Sequence, residues 1–230
     1  MKAALTLSAS LAAALLLAGC DKPAQEKAGK TDAAAPAASS AKKRPVRGAE
    51  PIQWDDAQKT FVMGGQALET AKLWTFETAT EGFVGAGSTL SVAPEGGLKV
   101  VGTIFDPIVR SPKGLDIDGS KYNTVLVRLS RVKETARWDG TIFWATGAHA
   151  ESASYMVGPV RGADPAVGET TTMVYDMSKP LKGGDDWVTS TINSLRLDLD
   201  DDIGGEFVIH QVAIVNVPGG AAPAKKPAAQ

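Results

Sequence analysis

Cysteine is almost missing from this sequence: Cys20 is the only one among 230 residues. A single thiol excludes an internal disulfide framework and any thiolate-rich metal site. Histidine is nearly as scarce, with only His149 and His210, so a multi-histidine metal centre is excluded as well. No excess of one charge exists either: 24 Lys and Arg face 26 Asp and Glu, a formal net charge of -2. That balance offers no electrostatic case for a nucleic-acid partner. No G-x-S-x-G elbow is present, and the glycine pairs stand in neither a P-loop nor a dinucleotide-binding context. Long runs with a helical period are absent too.

What is present begins with a processing segment. Met1-Lys2 gives a positive start, and an Ala/Leu run to Leu17 ends in LLAGC, Leu16 to Cys20. The run is too short to span a bilayer as a stable helix. Its small-residue approach to one cysteine resembles the lipobox of bacterial lipoproteins. The resemblance implies a signal peptide over residues 1–19, cleavage before Cys20, and a lipidated Cys20 carrying acyl chains such as palmitate. Each buried methylene of such chains adds ~0.8 kcal/mol to attachment, so the expected partner is a membrane of the bacterial cell envelope. Asp21 resembles an inner-membrane retention signal of enteric-type sorting. Many bacteria do not follow that rule, so inner and outer membrane both stay open.

Residues 20–50 are Ala, Lys, Pro and Ser without an aromatic. Such composition buries too little apolar surface to offset its ordering entropy, and it predicts a disordered tether. Residues 218–230, PGGAAPAKKPAAQ, predict a disordered tail on the same ground. Between them, residues 51–217 contain all five tryptophans and predict one folded domain.

Short β-rich runs punctuated by Gly, Pro, Asp and Asn fill that domain. Candidate strands are Lys59 to Met63, Leu73 to Glu77, Ser88 to Ala93, Gly97 to Thr103, Asp106 to Ser111, Tyr122 to Ser130, Gly140 to Thr146, Glu169 to Met177, Ser194 to Leu199 and Glu206 to Val217. The pattern predicts an all-β, two-sheet β-sandwich. Alternation places Val125, Val127 and Leu129 on one face of their strand, with Leu126, Arg128 and Ser130 opposite. Leu195, Leu197 and Leu199 share a core face, with Arg196 and Asp198 behind. The last strand alternates poorly, which predicts cover on both faces or a bulge near His210.

The order of several motifs resembles the jelly-roll domains of the galactose-binding-like superfamily, the fold of many carbohydrate-binding modules. The resemblance rests on Trp74-x-Phe76-Glu77, EGF at Glu81 to Phe83, DPIVRSPKGLDIDGSKYNTVLVRL from Asp106, TIFWAT, and Trp187-x4-Ile192-x2-LRLD ending at Asp198. An acidic-Gly segment into EFVIHQVAI follows, which the resemblance makes a hairpin. Where the family often has Ile-Asp in the closing strand, this chain has Ile209-His210.

Asp198, Asp200, Asp201 and Asp202 crowd one stretch, and three accounts of them are open. Asp suits a solvated turn because its carboxylate bonds the local backbone, and Gly204-Gly205 supplies positive φ. A structural calcium is the alternative, with Glu77 and Asp198 as the ligands the resemblance suggests. Catalytic carboxylates need a defined separation across a scissile bond, which adjacent turn residues do not supply. No catalytic residue is assigned, and no enzymatic activity is expected.

Sugar binders stack rings on exposed aromatics and fix hydroxyls with charged side chains. Arg128, Trp144 and Arg196 form the candidate ligand-binding set if their strands are neighbours. Two guanidiniums on one face suit an acidic or hydroxyl-rich sugar. The sequence therefore predicts a membrane-anchored jelly roll that binds a glycan or another envelope component. A structural domain docking an envelope protein is the alternative.

Overall fold

A computed structural model of the chain describes residues 52–160 and 165–219. The expectations for the signal peptide, Cys20, the tether and the tail beyond residue 219 lie outside the described residues. Among the described residues, no helix is long and apolar enough to cross a membrane.

The architecture is the antiparallel two-sheet β-sandwich that the strand pattern predicts. One sheet runs in the order β13 (Thr170–Asp176), β10 (Thr124–Lys133), β15 (Glu206–Asn216), β7 (Leu98–Gly102), β6 (Ser88–Val92), and β4 (Glu69–Trp74) also pairs with β15. The second runs β12 (Met156–Val157), β11 (Trp138–Thr146), β14 (Thr191–Asp200), β8 (Ile108–Arg110), β5 (Val84–Ala86), and β9 (Ile117–Asp118) also pairs with β14. A small sheet of β1 (Ile52–Asp55), β2 (Thr60–Met63) and β3 (Gln66–Ala67) completes the β structure. One helical turn, α1 (Asp186–Thr189), carries Trp187 into the core.

Alternation decides what lies between the sheets. Val125, Val127 and Leu129 of β10 face Leu195, Leu197 and Leu199 of β14 across the core, all essentially without solvent exposure. Trp74, Phe76, Trp144 and Trp187 join the same cluster. Trp144 and Trp187 meet edge to face at 5.9 Å, a geometry worth ~0.5–1.5 kcal/mol beyond their buried area.

Both expectations for the last strand hold together. In the β10–β15 register Arg128 faces Gln211 while Leu129 faces Ile209, so His210 is the extra residue of a bulge. Further along, Ala213, Val215 and Leu126 pack outward against Phe61 and Leu68, with Ile52, Trp54 and Met63 of the small sheet around them. That second layer explains the consecutive apolar residues of β15: it is covered on both faces.

The expected hairpin from LRLD into the closing strand is not formed. β14 pairs with β11, β8 and β9, whereas β15 pairs with β10, β4 and β7. Both strands present apolar faces to the shared core, so the chain arches from one sheet to the other instead of folding back beside itself. Asp201 and Asp202 sit in this arch opposite Arg137, and Gly204 takes a φ of 88°. Asp200 is different: it is 1% exposed and faces Arg131, itself 1% exposed. Gly205 is required beside it, because a Cβ there would lie 2.5 Å from the Asp200 carboxylate.

Candidate functional site on the open face of the second sheet

The small sheet covers part of the first sheet's outer face, and among the described residues no further sheet lies over the outer face of the second. The pleat puts Ser194, Arg196 and Asp198 of β14 there. Opposite them in register stand Ala145, Phe143 and Thr141 of β11, and Arg110 and Ile108 of β8. The guanidinium of Arg196 lies 4.6 Å over the Phe143 ring. Its Nε donates to Asp198 Oδ1 at 2.7 Å, and an Nη bonds the other carboxylate oxygen. Asp106 stands 3.6 Å from the same guanidinium.

Burial pushes the Asp198 carboxyl up to about 6 although Arg196 pulls it down, and Asp106 and Asp139 add to the rise. Burial works against the charge of Arg196 as well. There the hydrogen bonds and charge of Asp198 outweigh it and hold the guanidinium above its usual range. Both groups are raised, which disfavours charge on Asp198 and favours it on Arg196, because Asp198 is the deeper partner, with a side chain 3% exposed against 17% for Arg196. Asp139 is raised too, first by burial, and by Asp201 and Asp106 against a hydrogen bond from Thr141.

Below this charged row lies a cleft of about 520 Å3. Its floor is Ala145 and Ser194, one wall is Arg110, Ser111 and Lys113, and the other is the segment from Thr146 to Glu151. That second wall is anchored from inside. His149 Nε2 meets Asp186 Oδ2 at 2.9 Å, and Trp144 Nε1 donates to the same oxygen at 2.8 Å. The His149 ring also stacks on Tyr155 at 3.4 Å, and its Nδ1 donates to the Ala150 carbonyl. Glu151 accepts a hydrogen bond from Arg110 Nε across the cleft mouth. Asn193 Oδ1 accepts from the Gly114 amide at 2.6 Å, which leaves its Nδ2 donors to the cleft.

The structure does not bring the predicted ligand-binding set together. Arg196 is on this face. Trp144 is fully buried in the core, because β11 turns Phe143 outward in its place. Arg128 belongs to the other sheet's outer face, where its Nη1 donates to Gln211 Oε1 at 3.0 Å. Sequence reasoning missed Arg110, Lys113, Glu151, Asn193 and Ser194. The alternation of β14 was the one available signal, since Ser194 shares the parity of Arg196.

The calcium expectation fares similarly. Glu77 is exposed between β4 and β5, and Asp198 is buried with both oxygens on Arg196. Among the described residues, no three His, Cys, Asp or Glu side chains gather as a metal-ligand set. These residues do not fit an ion that needs six to eight oxygens.

No protein-family model matches this chain, and no curated protein does. Among solved structures it is similar to the Clostridium thermocellum endo-1,4-beta-D-xylanase 10B, solved as a family 22 carbohydrate-binding module with a family 10 hydrolase module in complex with xylohexaose. Identity is 15% and the TM-score 0.45, over 68% of this chain and 30% of that chain, so this protein spans under a third of that one. It is also similar to a family 29 carbohydrate-binding module from Piromyces equi, at 10% identity and TM-score 0.43 over 64% of this chain and 93% of that one. A carbohydrate esterase from the Shiga toxin-encoding bacteriophage phi24B is similar at 9% identity and TM-score 0.41, over 66% of this chain and 100% of that one.

Proposed function

We propose that this protein is a non-catalytic carbohydrate binder of the bacterial cell envelope. It takes its ligand in the cleft over β11, β14 and β8, and the chain is held to the membrane through a lipidated Cys20. One observation carries the binding reading: the cleft collects polar groups whose hydrogen-bonding capacity the protein itself leaves unused. Arg110 spends only Nε on Glu151, Asn193 keeps Nδ2, and the Ser194 hydroxyl has no partner among the described residues. Ordered donors in a preformed concavity suit a hydroxyl-rich ligand. The test is a glycan array probed with the full chain and with Ser194→Leu, which blocks the floor. Retention of one glycan class by the native chain and its loss in the variant support the reading; no retention of any glycan sinks it.

A second reading rests on a separate surface. Ile104, Phe105 and Ile203 are 56%, 65% and 51% exposed. Their loops are joined by hydrogen bonds from the Asp106 amide to the Asp201 carbonyl and from the Gly204 amide to the Gly102 carbonyl. Exposed apolar side chains brought together suit protein docking. Capture of an envelope protein that survives Ser194→Leu and is lost in Phe105→Ser favours this alternative.

A further inference from the structure

Resting on the carbohydrate reading, we propose that the cleft selects saccharides bearing a carboxylate, that is, uronic acid units, through Arg110 and Lys113. Three observations point there.

The first is what the cleft lacks. No Trp, Tyr or Phe side chain lines it. Phe143, the aromatic side chain that β11 turns to that face, is 8% exposed beneath the Arg196 guanidinium. Neutral sugars draw much of their affinity from stacking on such rings, so a cleft without one depends on polar contacts.

The second is the balance of charge. The chain as a whole is slightly acidic, at -2, yet the cleft reverses the sign. Its walls hold Arg110 and Lys113 against one carboxylate, Glu151. The imidazole in the wall, His149, is turned onto Asp186. Lys113 has no ion-pair or hydrogen-bond partner among the described residues.

The third is geometry. Glu151 accepts from Arg110 Nε, so it fixes the guanidinium plane and leaves the Nη edge open. A planar fork held in this way matches a carboxylate with two parallel N–H···O bonds. The Ser194 hydroxyl and Asn193 Nδ2 stand on the floor and rim to meet ring hydroxyls. Donors thus outnumber acceptors, which is the complement of an acceptor-rich anionic sugar.

Calorimetric titration of the full chain with four probes tests this: trigalacturonate, its methyl ester, neutral xylohexaose and inorganic phosphate. Trigalacturonate should bind, the ester and xylohexaose should bind at least about tenfold more weakly, and added salt should weaken the acid probe selectively. Arg110→Gln should weaken trigalacturonate by about tenfold to a hundredfold. Lys113→Gln, at an exposed position that leaves the fold alone, should weaken it severalfold. Equal binding of acid and ester, unmoved by Lys113→Gln, overturns the selection for carboxylate while leaving a carbohydrate binder. Phosphate binding as tightly and competing for the cleft shows a generic anion site and overturns the saccharide assignment. Failure of all three saccharides overturns the proposal, while the carbohydrate reading stands or falls by the glycan array.

Discussion

Substituting Asp200 should be the most damaging single change in the arch between β14 and β15. Its carboxylate and the Arg131 guanidinium lie 3.9 Å apart with side chains 0% and 1% exposed. Thr135 donates its hydroxyl to Asp200, Arg131 donates to the Pro165 carbonyl, and the guanidinium lies 5.3 Å over the Trp138 ring. Asp200→Ala takes a carboxylate from beside a buried cation, and breaking a buried ion pair in this way costs ~3–5 kcal/mol. Domains of this kind are stable by only ~5–15 kcal/mol, so the loss removes about a fifth of the total or more. At ~2–4 °C per kcal/mol, the melting temperature should fall by about 10 °C. Denaturant unfolding followed by tryptophan fluorescence measures it, with an unchanged m-value expected. The partner experiment is Arg131→Met with Asp200→Leu. Replacing a buried pair by apolar side chains is often neutral, so the double variant should recover most of the loss. A loss below about 1 kcal/mol for Asp200→Ala, or a double variant no better than the single one, refutes the reasoning.

Asp198 sets a pH dependence of definite sign. Its folded carboxyl is raised from 3.8 to about 6, so the folded state keeps a proton that the unfolded chain releases; stability should fall as pH rises through that window, and melting curves of Asp198→Asn should lose this slope. Glu81 Oε1 accepts from the Thr75 and Phe76 amides at 3.0 and 2.6 Å, where Phe76 is buried at a φ of 53°. Glu81→Ala orphans both donors and should cost ~1–3 kcal/mol in denaturant unfolding, with Glu81→Gln largely restoring it. Cys20→Ala should move the protein out of the detergent phase or leave the precursor unprocessed; unchanged partitioning and processing would speak against lipidation.

The legible part of this fold is the part where polarity sets a phase. In β10 and β14 a charged residue interrupts the apolar run, and the core faces follow directly. TIFWAT has no such marker between Thr141 and Thr146, so the sequence does not tell whether Phe143 or Trp144 turns inward. The ligand-binding set failed at that point. Strands of two or three residues, such as β5, β9 and β12, are too short to show a period at all. Nor does adjacency in sequence say which sheet a strand joins, and the missing β14–β15 hairpin is the result. The Arg110–Glu151 pair spans 41 residues of chain and exists only through the β8–β14 register and the loop after β11.

What distinguishes the two outer faces is whether their polar groups are already satisfied. On the first sheet, Arg128 is bound to Gln211, and Ser130 joins His210 at 2.7 Å and Thr170 at 2.6 Å. The His210 imidazole is held below its usual range by burial and by Arg128, both of which disfavour a positive charge there. Apolar cover from the small sheet closes the rest. On the second sheet, the upper row is locked by the Arg196–Asp198 pair, but the lower row is not. Donors that no protein acceptor occupies face the cleft, where a ligand can supply acceptors in place of water and set their directions at little ordering cost. The unspent donors of Arg110, Lys113, Asn193 and Ser194 lie on one cleft, and so the second sheet is the face on which a ligand gains most.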